Sequence, residues 1–182
     1  MRVVSGKARG LKLDTIEGLD TRPTKDMCKE ALFSIIGNEI IDSVFLDLFA
    51  GSGAIGIEAI SRGASKAYFV DKNQECTKII VKNLEKAKFN EQSEVYNQDY
   101  IAFLESNKDL VFDIIYIDPP YNKGLGQDAI TKISSYNLLK INGLLIYETD
   151  SVELCPETIN NFERFKIRKY GRNVLNFYRR KE

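Results

Sequence analysis

An apolar run, Phe112-Asp113-Ile114-Ile115-Tyr116-Ile117, stops at Asp118-Pro119-Pro120-Tyr121. A short apolar run with β-branched and aromatic residues, ended by prolines, predicts a buried strand. Two consecutive prolines hold the backbone extended and remove two N–H donors. A carboxylate, carbonyls with no competing local donors and an aromatic ring are therefore fixed at the carboxyl end of a strand. That array suits a planar substrate bearing an amino group: Asp118 and the Pro119 carbonyl accept its N–H bonds while Tyr121 stacks on it. The plain alternative is a Pro-Pro turn that only ends a strand.

A second constellation lies upstream. Val44–Ala50 runs into Gly51-Ser52-Gly53-Ala54-Ile55-Gly56, and Asp71 follows Gly51 by 20 positions at the end of the next predicted strand. Glycines that admit close backbone approach, followed by an acid for ribose hydroxyls, form a nucleotide-cofactor fingerprint. The alternative is a tight turn that needs glycine for its backbone alone. Asp47 decides between cofactors. A carboxylate beside a pyrophosphate is repulsive, whereas beside an ammonium and a sulfonium it is attractive, so S-adenosylmethionine is favoured over a dinucleotide. A bland role for Asp47, bonding the loop or capping the helix, stays open. Asp99, after the third strand, is placed to accept from an adenine amino group.

Composition narrows the chemistry. With no histidine in 182 residues, Ser-His-Asp and Cys-His nucleophile systems are excluded. Cys28, Cys76 and Cys155 are odd in number and far apart, which predicts reduced thiols in a cytoplasmic protein and no metal site. No apolar run approaches the ~20 residues of a membrane span, and no signal peptide is expected. Net charge is zero but uneven: residues 1–29 hold seven Lys/Arg against four Asp/Glu, and residues 164–182 hold eight against one. A basic head and tail on an acidic body points to a polyanion site built from the two ends, with solvated charged faces as the alternative.

The elements that must position these groups follow from periodicity. Val3–Ser5 and Leu11–Leu13 flank a basic, glycine-containing turn and predict an N-terminal β-hairpin. A helix follows, with Thr24 as N-cap and Gly37 as stop. Strands at 44–48, 66–70, 94–97, 113–117 and 144–148 alternate with helices at 54–62, 74–88, 100–106 and 127–136. That pattern predicts a mostly parallel, doubly wound α/β sheet in a single domain, 1–182. Residues 1–20 form an extension to the 21–182 core. Phe162–Tyr170 and Val174–Arg179, around Gly171-Arg172-Asn173, predict a closing antiparallel hairpin.

The segment Leu46–Gly53, Val70-Asp71 and Asp118–Tyr121 resemble the cofactor loop, ribose acid and catalytic tetrapeptide of Rossmann-type amino-group methyltransferases. That tetrapeptide serves adenine, cytosine, guanine and glutamine nitrogens alike. Its flanks resemble the bacterial 16S rRNA guanine-N2 methyltransferases: Arg2–Leu13, Arg22-Pro23-Thr24 with Lys29–Phe33, and Glu58–Ala64. The resemblance implies a seven-stranded Rossmann-like sheet with the last strand antiparallel. It implies S-adenosylmethionine as cofactor and 16S rRNA in a small-subunit assembly intermediate as substrate of a monomeric enzyme. Asp118, Pro119, Pro120 and Tyr121 would then carry the chemistry. Arg22, Thr24, Asp47, Phe49, Gly51, Gly53, Asp71 and Asp99 would hold cofactor, and Arg2, Lys7, Arg9 and Lys12 would hold RNA phosphates. A DNA adenine methyltransferase, a protein-glutamine methyltransferase and a non-catalytic RNA-binding assembly factor are the rivals, with a nicotinamide dehydrogenase the weakest.

Overall fold

The computed structural model describes residues 1–16, 23–120, 124–153 and 155–182. Five parallel strands form the centre: β1 (Val44–Leu48), β2 (Lys66–Asp71), β3 (Ser93–Asn97), β4 (Phe112–Ile117) and β5 (Leu139–Asp150). Helices connect them: α2 (Ala54–Ser61), α3 (Gln74–Ala87), α4 (Tyr100–Ser106) and α5 (Leu125–Ser135), with α1 (Pro23–Ile36) preceding β1. Strands β6 (Thr158–Ile159), β7 (Phe162–Tyr170) and β8 (Asn173–Arg180) close the sheet. Its order is β3-β2-β1-β4-β5-β8-β7-β6, and β8 is antiparallel to β5.

The strands read as near-continuous apolar runs because helices cover both faces. One face carries Phe45, Phe69, Ile114, Ile146 and Phe177 under α1 and α2. The other carries Leu46, Val70, Ile115, Leu145 and Tyr178 under α4 and α5.

Three expectations are revised. The sheet has eight strands, not seven, because Thr158–Ile159 adds a short edge pair to β7. Two residues are too few to show the alternation by which a strand is read. Helix α1 begins at Pro23, ahead of Thr24, where a fixed φ and a missing N–H cost nothing. The N-terminal hairpin pairs by a single bridge, Arg2 to Lys12, rather than by two strands. Around it, Val3 N donates to Leu11 O at 2.9 Å and Leu13 N to Met1 O at 3.0 Å.

That hairpin is docked, not pendant. Val3 and Leu13 are buried in the core. The fully buried Glu58 on α2 accepts from Val4 N at 2.8 Å, Ser5 N at 2.9 Å and Arg62 Nε at 2.8 Å. Lys29 of α1 completes the knot, with Nζ at 3.4 Å from Glu58 and also donating to Arg2 O. Ser61 O accepts from Lys7 N at 2.8 Å, and a Cβ on Gly6 would lie 1.8 Å from that same oxygen. Only glycine lets the hairpin backbone approach α2 this closely.

Candidate functional site

Strand order reverses between β1 and β4, and a crevice opens there at the carboxyl ends of the strands. This is the place where doubly wound sheets bind ligands. The cavity there has a volume of about 600 Å³ and is bounded by the loop after β1, the ends of β2 to β5, and α1. Its size suits a nucleoside-sized ligand.

The loop after β1 is built from unusual backbone. Phe49, Gly51 and Gly53 all have positive φ, at 69°, 57° and 76°. For phenylalanine that conformation costs about 1–3 kcal/mol and persists only when neighbours impose it. Here Phe49 N and Ala50 N both donate to Val70 O at 3.0 Å, and the Phe49 ring lies 5.1 Å from that of Tyr100. Gly51 N donates to Asp71 Oδ2 at 2.9 Å, so the acid after β2 also holds the loop. Gly53 does not line the cavity. A Cβ there would meet Ile80 and Phe69 at 3.1 and 3.4 Å, so this glycine serves helix packing. Asn83, fully buried on α3, donates to Ser52 O at 3.1 Å and Asp14 O at 3.0 Å, tying the loop to the segment after the hairpin.

Asp47 sits under the loop, 1% exposed, and its Oδ2 accepts from Gly56 N at 2.9 Å in the first turn of α2. Burial pushes its carboxyl up to about 7, partly offset by that N–H bond and reinforced by Asp71. It lines the cavity as well, so it both braces the loop and presents charge. Asp71 Oδ1 accepts from Asn73 N at 2.8 Å. Asp99 is exposed at the rim, where it caps α4 by accepting from Ile101 N at 3.0 Å.

Asp118 continues the line of β4, its N–H donating to Leu48 O at 3.4 Å. Asp118, Pro119 and Pro120 all line the cavity, with Asp118 half-buried and Pro119 buried. Phe49, Gly51, Asp47, Asp71 and Asp99 line the same cavity, so most of the expected site converges. Arg22 and Tyr121 lie outside the described residues, as does the side chain of Thr24.

Sequence reading passed over one row of side chains. Tyr116 OH donates to Glu148, as does Asn173 Nδ2. All three line the cavity, and Glu148 is 7% exposed. Burial and the neighbouring Glu148 and Asp118 hold the Tyr116 hydroxyl well above its ordinary range, so it stays a donor. The available signal was a lone carboxylate at the end of the apolar run Leu144–Tyr147, in step with Asp118. Cys28 also lines the cavity, but burial pushes its thiol up to about 12, which leaves no thiolate for nucleophilic work.

Arg2, Lys7, Arg9 and Lys12 stand exposed on the hairpin. Lys166 and Arg168 of β7 pair with Phe177 and Leu175, whose side chains belong to the same core cluster as Val3 and Leu13. Lys166 and Arg168 therefore stand on the hairpin's side of the sheet, whereas Arg164 and Arg180 pair with Tyr178 and Phe162 of the opposite face. Among the described residues no group of three His, Cys, Asp or Glu is placed to hold a metal, and no helix is long and apolar enough to cross a membrane.

Comparison with known proteins points to one family. The family model described as "Conserved hypothetical protein 95" matches residues 1–179. Ribosomal RNA small subunit methyltransferase D of Haemophilus influenzae is 38% identical over 82% of this chain and 79% of its own. The Escherichia coli protein of that name is 30% identical over 99% of this chain and 90% of its own. The solved structure of Escherichia coli yhhF superposes with a TM-score of 0.89 at 31% identity, covering 100% of this chain and 98% of that one. By these likenesses, which span nearly its whole length, the chain belongs to the ribosomal RNA small subunit methyltransferase D family.

Proposed function

We propose that the protein methylates the exocyclic N2 amine of a guanine in 16S rRNA, within a partly assembled small subunit, using S-adenosylmethionine. The observation that carries this reading is the placement of Asp118 and Pro119 on the rim of the cavity bounded by Phe49, Gly51 and Asp71. Amine acceptors and the nucleotide-binding loop thus face one space.

The cavity's residues fit that cofactor. Asp71 offers a carboxylate to ribose hydroxyls, and the first turn of α2, whose Ala54 and Ile55 line the cavity, offers backbone N–H groups to a carboxylate. Asp47 supplies negative charge where an ammonium and a sulfonium would be attracted. When bound, the cofactor supplies an activated methyl group. A guanine amine is a poor nucleophile because its lone pair is delocalised into the ring. Asp118 and the Pro119 carbonyl, by accepting its two N–H bonds, draw the nitrogen toward tetrahedral geometry and free that lone pair. The positive charge developing on nitrogen is then stabilised by Asp118, an interaction strongest in the transition state. Asp118, which accepts one of these N–H bonds, can also take the departing proton. Tyr121 would stack on the base, and Arg2, Lys7, Arg9 and Lys12 would hold phosphates without reading sequence.

The test is transfer of labelled methyl from S-adenosylmethionine to small subunits, free 16S rRNA, DNA or bulk protein. Label on a guanine N2 of 16S rRNA is expected. Label on adenine N6 of DNA, or on glutamine, would overturn the assignment.

A further inference from the structure

The row formed by Asp118 and Glu148 points beyond amine activation. Strands β4 and β5 are parallel neighbours in the register Ile117 to Tyr147, so Asp118 and Glu148 are the next residues in step. Paired positions on adjacent strands share a face and lie about 5 Å apart. Both side chains line the cavity. Glu148 is only 7% exposed, and its orientation is fixed by Tyr116 OH and Asn173 Nδ2, one on each oxygen. A carboxylate offers several acceptor positions across its two oxygens, so it can accept from a ligand while these donors hold it in place.

We propose that Glu148 is the residue that selects guanine, by accepting the N1–H next to the amine that Asp118 holds. The inference rests on the guanine-N2 reading given above. The substrates open to an Asp-Pro-Pro-Tyr enzyme differ in what neighbours the reactive nitrogen. Beside the N6 amine of adenine lies N1, a lone pair. Beside the N4 amine of cytosine lies N3, also a lone pair. Beside the amide nitrogen of glutamine lies a carbonyl oxygen. Only guanine places an N–H donor there. A fixed carboxylate next to Asp118 attracts that donor and repels the other three. Sites built to hydrogen-bond a substrate N–H reject analogues lacking it far more strongly than apolar pockets reject a size change.

The test uses the full-length protein and small subunits reconstituted with 16S rRNA. That RNA carries, at the guanine the wild type labels, either guanine or 2-aminopurine. 2-Aminopurine keeps the N2 amine but replaces N1–H with a lone pair and lacks O6. The wild type should favour guanine by at least about 10²-fold in kcat/KM. In Glu148→Gln the amide can donate to that lone pair, so the preference should shrink at least about tenfold. A missing hydrogen bond to O6 would not be repaired by this change, which separates the two differences between the bases. Cofactor affinity of the variant, measured by calorimetry, should stay within a few-fold of wild type. Glu148→Asp, which keeps the charge, should keep the preference at a lower rate. An equal guanine preference in wild type and Glu148→Gln would overturn the role, as would a wild type that methylates 2-aminopurine as well as guanine. The latter result does not depend on how any variant folds. Failure to label any guanine N2 in unmodified subunits would instead overturn the functional reading on which the inference rests.

Discussion

Replacing Asp47 by asparagine should stabilise the protein at high pH and weaken its grip on cofactor. The side chain is buried and its carboxyl titrates near 7 instead of the ordinary 3.8, chiefly because burial penalises the charged form. Its folded pKa is thus raised. The stability it contributes is full below the ordinary value and is lost as pH rises through the folded one. The difference of about three pH units corresponds to about 4 kcal/mol at most. Of this, about 2–3 kcal/mol falls between about pH 5 and pH 8. Asparagine is neutral throughout and its Oδ1 can still accept from Gly56 N. Urea unfolding of both proteins at about pH 5 and pH 8 should therefore show the variant gaining on the wild type by that amount as pH rises. Cofactor affinity should move the other way. Wild-type binding should strengthen up to about pH 7 as Asp47 ionises, whereas the variant's should be weaker and flat. A stability gap that does not change with pH would refute the buried, reluctantly ionised carboxylate described here.

Asp118→Ala should lower turnover by at least about 10²-fold with cofactor affinity within a few-fold, as loss of a transition-state acceptor would; full turnover would remove it from the chemistry. Glu58→Ala should cost about 3–5 kcal/mol in chemical denaturation, because it takes the carboxylate from beside the buried Lys29 ammonium and removes the acceptor of two hairpin N–H groups and of Arg62 Nε. A drop under about 1 kcal/mol would mean that the hairpin is held by other interactions. Neutralising Lys7, Arg9 and Lys12 together should flatten the salt dependence of RNA binding by up to about 0.7–0.9 log units of slope for each phosphate left unpaired. An unchanged slope with full methylation would take the hairpin out of RNA binding.

The doubly wound sheet was legible because its signals are local. Apolar runs, glycine stops and the positions of Asp71, Asp99 and Asp118 each follow from a few adjacent residues. Register is not local, and it hid the rest. Glu148 reads as an ordinary strand-ending acid until β5 is laid beside β4. Glu58 reads as a helix-surface charge until the hairpin, more than 50 residues earlier, folds over it. Gly53 matched a cofactor fingerprint, yet its neighbours are Ile80 and Phe69, a contact with a helix that sequence spacing cannot reveal. Strand β5 runs from Leu139 to Asp150, well beyond its apolar centre, because the exposed residues 140–142 still follow the sheet past a register shift.

The hairpin's attachment also sets an order of events during synthesis. Its first residues leave the ribosome early, but the groups that satisfy them are made much later. Val4 and Ser5 wait for Glu58, 54 and 53 positions on, and Asp14 waits for Asn83, 69 positions on. Until α3 has emerged, a nascent chain exposes a basic, glycine-rich ribbon with Val3 and Leu13 unburied. Because loop closure must precede such distant contacts, the hairpin should be among the last pieces to gain protection from proteases and hydrogen exchange. Under the phosphate-holding role proposed for the hairpin, its setting only once Asn83 anchors the loop after β1 would keep unfinished chains from presenting a formed RNA-binding surface.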